Sequence, residues 1–298
     1  MRFLLLPLLL LALLAPRQEC PVRPVVAASG AAVDPADLSG VEGELLFPPL
    51  RAGQPAAPFG TDRGGRDSGC LNARGLARSL RLSLGVVTLG FLPGLVLGLA
   101  LAWRRRSLPL TGETLLLVAT VLLLGPGAFR VALVLGVLLL TARLVTVRMS
   151  SVMREPFLEG ALALGGRGRH ILRIHLWPHL RPSLPAMLAA AFSAVFLWLM
   201  ELGALGFHDQ PVVQLAFSDS FDRVQDIEQL LQNADLGQLI TQARWTWLDT
   251  PEQLVWPILL LTLLTLSLKD LARWAFDRVE LAERRRTLRR AAAEDVLT

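Results

Sequence analysis

The chain has 298 residues, 53% of them hydrophobic and 18% charged, with a formal net charge of +5 and a mean hydropathy of +0.49. Soluble domains run nearer about 45–50% apolar and about 25% charged, so this composition belongs to a membrane protein. Of the 30 basic residues only Lys269 is a lysine. A nucleotide-binding P-loop needs a lysine behind a glycine-rich turn. Lys269 sits in LTLSLKDLARW with no glycine beside it, so the chain does not power itself through that motif and is expected not to be an enzyme. Cys20 and Cys70 give neither a CxxC pair nor a disulfide-dense framework, which argues against cofactor chemistry through thiols. The isoelectric point is about 10.6, but arginines at the ends of apolar runs set membrane orientation more readily than they bind nucleic acid.

A helix rises about 1.5 Å per residue, so about 20 apolar residues cross about 30 Å of hydrocarbon. Phe3 to Ala15 is apolar but too short by that measure. It has the proportions of a signal-peptide core behind Arg2. Because Pro16 follows Ala15 and no A-x-A pattern is present, residues 1–15 are expected to stay as an uncleaved anchor rather than a cleaved signal. Residues 16–81 form an external segment. Leu82 to Trp103 is an uncharged span. Leu108 to Val147 reads as two spans folded at Gly125-Pro126-Gly127, since adjacent Pro and Gly break a helical pattern. Ser183 to Phe207 is a fifth span, carrying Glu201, and Leu254 to about Leu271 is the sixth.

Arginines mark the cytoplasmic sides: Arg104-Arg105-Arg106, the group from Arg143 to Arg181, and the run from Arg273 to Arg290. Residues 208–253 are mostly acidic and external. The expectation is an all-α membrane protein with about six spans and both ends in the cytoplasm: a transmembrane domain over 82–277, a cytoplasmic loop over 155–178, an external insertion over 208–253 and a basic tail over 278–298.

The loop EPFLEGALALGGRGRHILRIHLWPHLRPSLP carries the most information. Phe157, Leu158, Ala161, Leu162 and Leu164 form an apolar stripe at helical spacing, with Glu159 on the polar side. Gly165-Gly166 divides this half from a second one, in which His170, Ile171, Ile174 and His175 lead to Pro178, a residue suited to the first turn of a helix. Such a pair of short helices lies along the membrane surface.

This stretch resembles the coupling loop of binding-protein-dependent ABC importer permeases, in which E-A-A is followed by a glycine four residues on and a proline thirteen residues after that. Glu159-Gly160-Ala161, Gly165 and Pro178 occupy those positions, with Gly160 standing where the pattern has alanine and Trp177 where leucine is usual. Leu164 and His175 are similar to the dipeptide, oligopeptide and nickel subfamily. Pro58-Phe59-Gly60-Thr61-Asp62 followed by Gly65-Arg66-Asp67 resembles that subfamily's P-F-G-T-D-x-x-G-R-D signature, and Pro257 to Asp277 resembles its last helix.

The resemblance implies a permease subunit of an ATP-driven importer of small peptides in the bacterial cytoplasmic membrane. It implies a second homologous permease, separate ATP-binding subunits that receive the coupling loop, an external solute-binding protein, and no cofactor. Nickel, opines or another small solute are rival cargoes. A membrane-anchored enzyme or signalling protein is a rival of another class, but the external segments hold no catalytic or metal-ligand set. Glu201 and Arg130 are candidates for the translocation path, because ionisable groups in apolar helices are costly and usually face a partner or a wet path. Gly90, Gly94 and Gly98 recur every fourth residue, which lets another helix approach closely, within the chain or from a partner. His170, His175 and His179 lack the acidic context of a metal site.

Overall fold

The structure, a computed structural model, describes residues 5–15, 20–21, 25–27, 32–33, 45–46, 48–54, 57–62, 64–104, 113–153, 171–207, 234–244 and 246–295. It is a helical bundle. Helix α1 spans Leu5–Leu13. Three very short strands follow, β1 (Val25–Ala27), β2 (Ala32–Val33) and β3 (Leu45–Leu46), with β1 antiparallel to both others. They lie outside the bundle's helices and leave its class unchanged.

Helix α2 spans Ser68–Trp103. Asp67 starts it by accepting a hydrogen bond from the Cys70 N–H at 2.8 Å, which satisfies a donor that a helix start leaves open. Its 36 residues cover about 54 Å, well beyond the hydrocarbon layer. The predicted span Leu82–Trp103 is its second part, and Ser68–Arg81 continue the same rod past it.

Helix α3 (Glu113–Leu124) and helix α4 (Phe129–Val152) are joined at the expected place: Gly125 takes φ +82° and Pro126–Ala128 form a 3-10 turn. Helix α5 spans Leu184–Leu205 and stops at Gly206, whose φ is +90°. There the Phe207 N–H reaches back to the Leu202 carbonyl at 2.8 Å, the bond of a left-handed helix stop that glycine makes without steric cost.

Helix α6 (Leu236–Ala243) was not foreseen within the external insertion, whose residues 208–233 lie outside those described. Asp235 caps it by accepting from the Gln238 N–H at 2.7 Å. Helix α7 is continuous over Glu252–Asp295, so the last span and the basic tail are one rod rather than a span followed by a separate segment. No proline or glycine after Pro257 interrupts it.

Four helical stretches are long and apolar enough to cross a membrane: Ser68–Trp103, Phe129–Val152, Trp177–Leu205 and Glu252–Leu281. The chain is a multi-pass membrane protein. The six predicted spans correspond to these four together with α1 and α3, which are apolar but short, with residues 105–112 before α3 outside the described set.

Helices α2 and α4 run parallel, in register from Gly90 beside Val134 and Val137 to Gly98 beside Ala142 and Val145. Helices α5 and α7 are antiparallel neighbours, joined where the Ser193 hydroxyl donates to the Thr265 carbonyl at 3.3 Å. The core between these pairs holds Phe196, Met187, Leu199, Leu133 and Met149 fully buried. One end of the bundle, here called the cap end, carries the starts of α2, α4 and α7, the end of α5, and α6.

Candidate functional site

At the opposite end, the described chain resumes at Ile171 and runs without interruption into α5. The sequence placed a helix start at Pro178; the described chain is already helical before it, and the hydrogen-bond pattern slides along one rod. The Trp177 N–H bonds to the Leu172 carbonyl, the Arg181 N–H to Trp177, and the Leu184 N–H to Arg181. These are π, α and 3-10 spacings in succession. Pro178, Pro182 and Pro185 each remove an N–H that a uniform α-helix would use, so the chain keeps its helical path by changing spacing.

That rod has two faces. Ile171, Leu176 and Leu180 are buried, and the turn at Trp177–Leu180 packs on α4. Leu172, Ile174 (50% exposed) and Trp177 (44% exposed) point away from the bundle. Pro178 and His179 are exposed beside them. Of the predicted coupling residues, His175 lies within the π turn and Pro178 at the start of the next turn, whereas Glu159, Gly160, Ala161, Leu164 and Gly165 lie outside the described residues.

At the cap end, the P-F-G-T-D-x-x-G-R-D stretch ties the start of α2 to the start of α7. Thr61 and Leu50 exchange bonds, the Leu50 N–H donating to Thr61 Oγ1 at 2.9 Å and the Thr61 N–H to the Leu50 carbonyl at 3.0 Å. Gln253 Nε2 donates to the Thr61 carbonyl at 2.6 Å, and Glu252 Oε1 accepts from the Ala52 N–H at 2.7 Å. Phe59 meets Trp256 edge to face at 5.6 Å. Asp62 Oδ2 accepts from two guanidinium nitrogens of Arg66, at 2.7 and 2.6 Å, while Oδ1 accepts from the Gly64 and Arg66 N–H groups. Gly60 takes φ +79°, and a Cβ there would lie 2.9 Å from the Leu50 carbonyl. The signature is a structural clamp. Between it, α2 and α6 is a recess of about 250 Å3 faced by Arg66, Asn72, Gln242 and Gln253 together with Leu71, Leu239 and Ala243.

A disulfide joins Cys20 to Cys70, with Cα atoms 5.8 Å apart. It anchors the chain after α1 to the first turn of α2. Two cysteines separated by 50 residues carry no local pattern that reveals their pairing.

Gly90, Gly94 and Gly98 lie against α4 of the same chain. A Cβ at each would come within 2.6–2.7 Å of the carbonyl oxygens of Val134, Leu138 and Ala142 respectively. The Thr146 hydroxyl also reaches the Gly98 carbonyl at 3.2 Å. The row therefore serves packing within the chain.

Glu201 sits one turn from the cap end of α5, with Oε2 buried and accepting no hydrogen bond among the described residues. Arg130 lies at the same end, in the first turn of α4, but no ion pair joins the two among the described residues. Arg130 and Val131 are on the exposed side of α4, while Phe129, Ala132 and Leu133 face the core. Placement at one level did not put the two side chains on facing surfaces.

The chain is 29% identical over 182 residues to the di/tripeptide transport system permease protein DppC of Pseudomonas aeruginosa, a match covering 56% of this chain. Over that stretch the chain is similar to a transport-system permease. It spans about 60% of that relative's length. No family model matches it.

Proposed function

We propose that the chain is a membrane-spanning subunit of an ATP-driven importer for small peptides in the bacterial cytoplasmic membrane. Its cap end faces outward and its opposite end receives separate ATP-binding subunits. A second homologous permease completes the path, and an external binding protein delivers the solute to the cap end.

The observation that carries this reading is the two-faced rod from Ile171 to Leu180. Its buried face is fixed to α4 and its outward face presents Leu172, Ile174 and Trp177 at the end of the bundle. Apolar groups held on a rigid helix suit a groove on a partner protein, and the rod continues into α5, so a push on it moves a membrane-spanning helix. By the sequence pattern, Glu159, Gly160, Ala161, Leu164 and Gly165 are assigned to the same docking role. The similarity to a di/tripeptide permease supports the cargo class. The Cys20–Cys70 disulfide supports the orientation, because disulfides persist in oxidising compartments. In this reading ATP hydrolysis belongs to the partner subunits, and Glu201 lines the path.

The test is substrate-stimulated ATP hydrolysis by the assembled complex. Glu159→Lys, Gly165→Pro and Trp177→Asp are each expected to abolish the stimulation while the chain stays in the membrane. Full stimulation in all three contradicts the proposal.

A further inference from the structure

Away from both the clamp and the far-end rod, a cavity of about 930 Å3 opens between α1, α2, α5 and α7. That is near the upper end of the ligand pockets of about 300–1,000 Å3 found in proteins. Its deep wall is hydrocarbon: Leu5 and Leu9 of α1, Phe192 and Phe196 of α5, and Leu264 and Leu268 of α7.

Its charged lining among the described residues consists of Arg74, Arg78 and Arg81, with no carboxylate. Their spacing places all three on one face of α2. Ser79, between Arg78 and Arg81, accepts from the Leu236 N–H, and the adjoining Gly237 lies against Gly203 near the cap end of α5, whereas Phe196 and Phe192 lie about 11 and 17 Å further down α5, at the level where Ser193 meets Thr265 of α7. The arginines therefore line the cap-end part of the cavity, and the deeper part is lined by apolar side chains.

A row of cations above an apolar slot is complementary to an amphiphile with an anionic head. A small free anion meets the arginines but leaves the slot unfilled, and a neutral apolar molecule does the reverse. The geometry points to an anionic phospholipid as the occupant, with its phosphate against Arg74, Arg78 and Arg81 and its acyl chains between α1 and the α5/α7 pair. The lipid also accounts for how α1 is held. Leu8 is the buried side chain of that helix, and the Cys20–Cys70 bond fixes the chain only beyond its end. Helix α1 touches α2 and α7 directly, and a lipid beside it adds to those contacts. This inference is independent of which solute is carried.

Native mass spectrometry of the full chain tests it, after detergent exchange from bilayers holding phosphatidylglycerol and phosphatidylcholine of matched acyl chains. The expected result is one phosphatidylglycerol retained per chain, preferred over phosphatidylcholine by about tenfold or more, since each basic group near anionic lipid contributes to the attraction. Changing Arg74, Arg78 and Arg81 together to Gln is expected to remove the preference. The same three changed to Lys keep it, which separates charge from misfolding. Equal retention of both lipids by the unmodified chain, an unchanged preference in the Gln variant, or displacement of the lipid by millimolar inorganic phosphate each overturns the assignment.

Discussion

Replacing Gly94 by alanine tests the helix packing at the centre of the bundle. An ideal Cβ at residue 94 would lie 2.7 Å from the Leu138 carbonyl oxygen and 2.8 Å from Thr141 Cβ, against an ordinary contact of 3.4 Å or more. The obstacle is backbone of a packed helix, which cannot rotate away, so α2 and α4 must separate by about 0.7 Å. A gap of about 0.5–1 Å forfeits a quarter to a half of each neighbouring dispersion contact. Overpacking of this kind costs about 1–3 kcal/mol, while alanine returns about 1 kcal/mol of helix propensity. The net expectation is a loss of up to about 2 kcal/mol. Gly85, on the same helix, has nothing within 4 Å of such a Cβ, so Gly85→Ala keeps only the propensity gain of about 1 kcal/mol. Denaturation of the full chain in mixed micelles, read by circular dichroism, should move the two midpoints in opposite directions. A Gly94→Ala midpoint equal to or above that of Gly85→Ala refutes the close α2–α4 contact.

Other consequences follow from the cap end and from α5. The unreduced chain should take up no maleimide and the reduced chain two equivalents, as the pairing of Cys20 with Cys70 requires. Reduction removes a loop closure over 50 residues, worth about 4 kcal/mol in the chain-entropy account, so the melt should shift downward. Thr61→Val deprives the buried Leu50 N–H of its acceptor and should cost about 1–3 kcal/mol; a loss below a few tenths contradicts the clamp. A double-mutant cycle of Phe59→Ala and Trp256→Ala should give a coupling of about 0.5–1.5 kcal/mol, and zero coupling rejects the edge-to-face contact. Transport losses from Glu201→Ala and Arg130→Ala should add as independent effects, because Arg130 lies on the exposed side of α4 while Glu201 Oε2 is buried; mutual rescue contradicts that geometry.

The apolar runs were legible because membrane spans are set by length and composition, properties that single stretches carry on their own. Leu82–Trp103, the turn at Gly125-Pro126-Gly127 and the α5 span reappear where the sequence placed them. Helix α6 was not legible. Its eight residues include Gly237 and Gln238, both buried, and its position depends on distant partners: the Leu236 N–H bonds to Ser79 Oγ at 3.0 Å and Thr241 Oγ1 to the Gly203 carbonyl at 2.8 Å. The glycine row announced a close approach but not its partner, since the spacing is identical whether the facing helix is α4 or another subunit. Glu201 and Arg130 share a level because length alone fixes depth, but the side each helix presents depends on packing that a single segment does not encode.

The proposed function requires the rod from Ile171 to Leu180 to pass the work of ATP hydrolysis to the membrane helices. The most direct measurement is ATP-dependent dipeptide uptake into proteoliposomes holding this chain, its partner permease, the ATP-binding subunits and the binding protein. Uptake should require ATP and every component, and should fall to background with Trp177→Asp. Uptake by this chain without ATP or its partners, or undiminished uptake with Trp177→Asp, contradicts it.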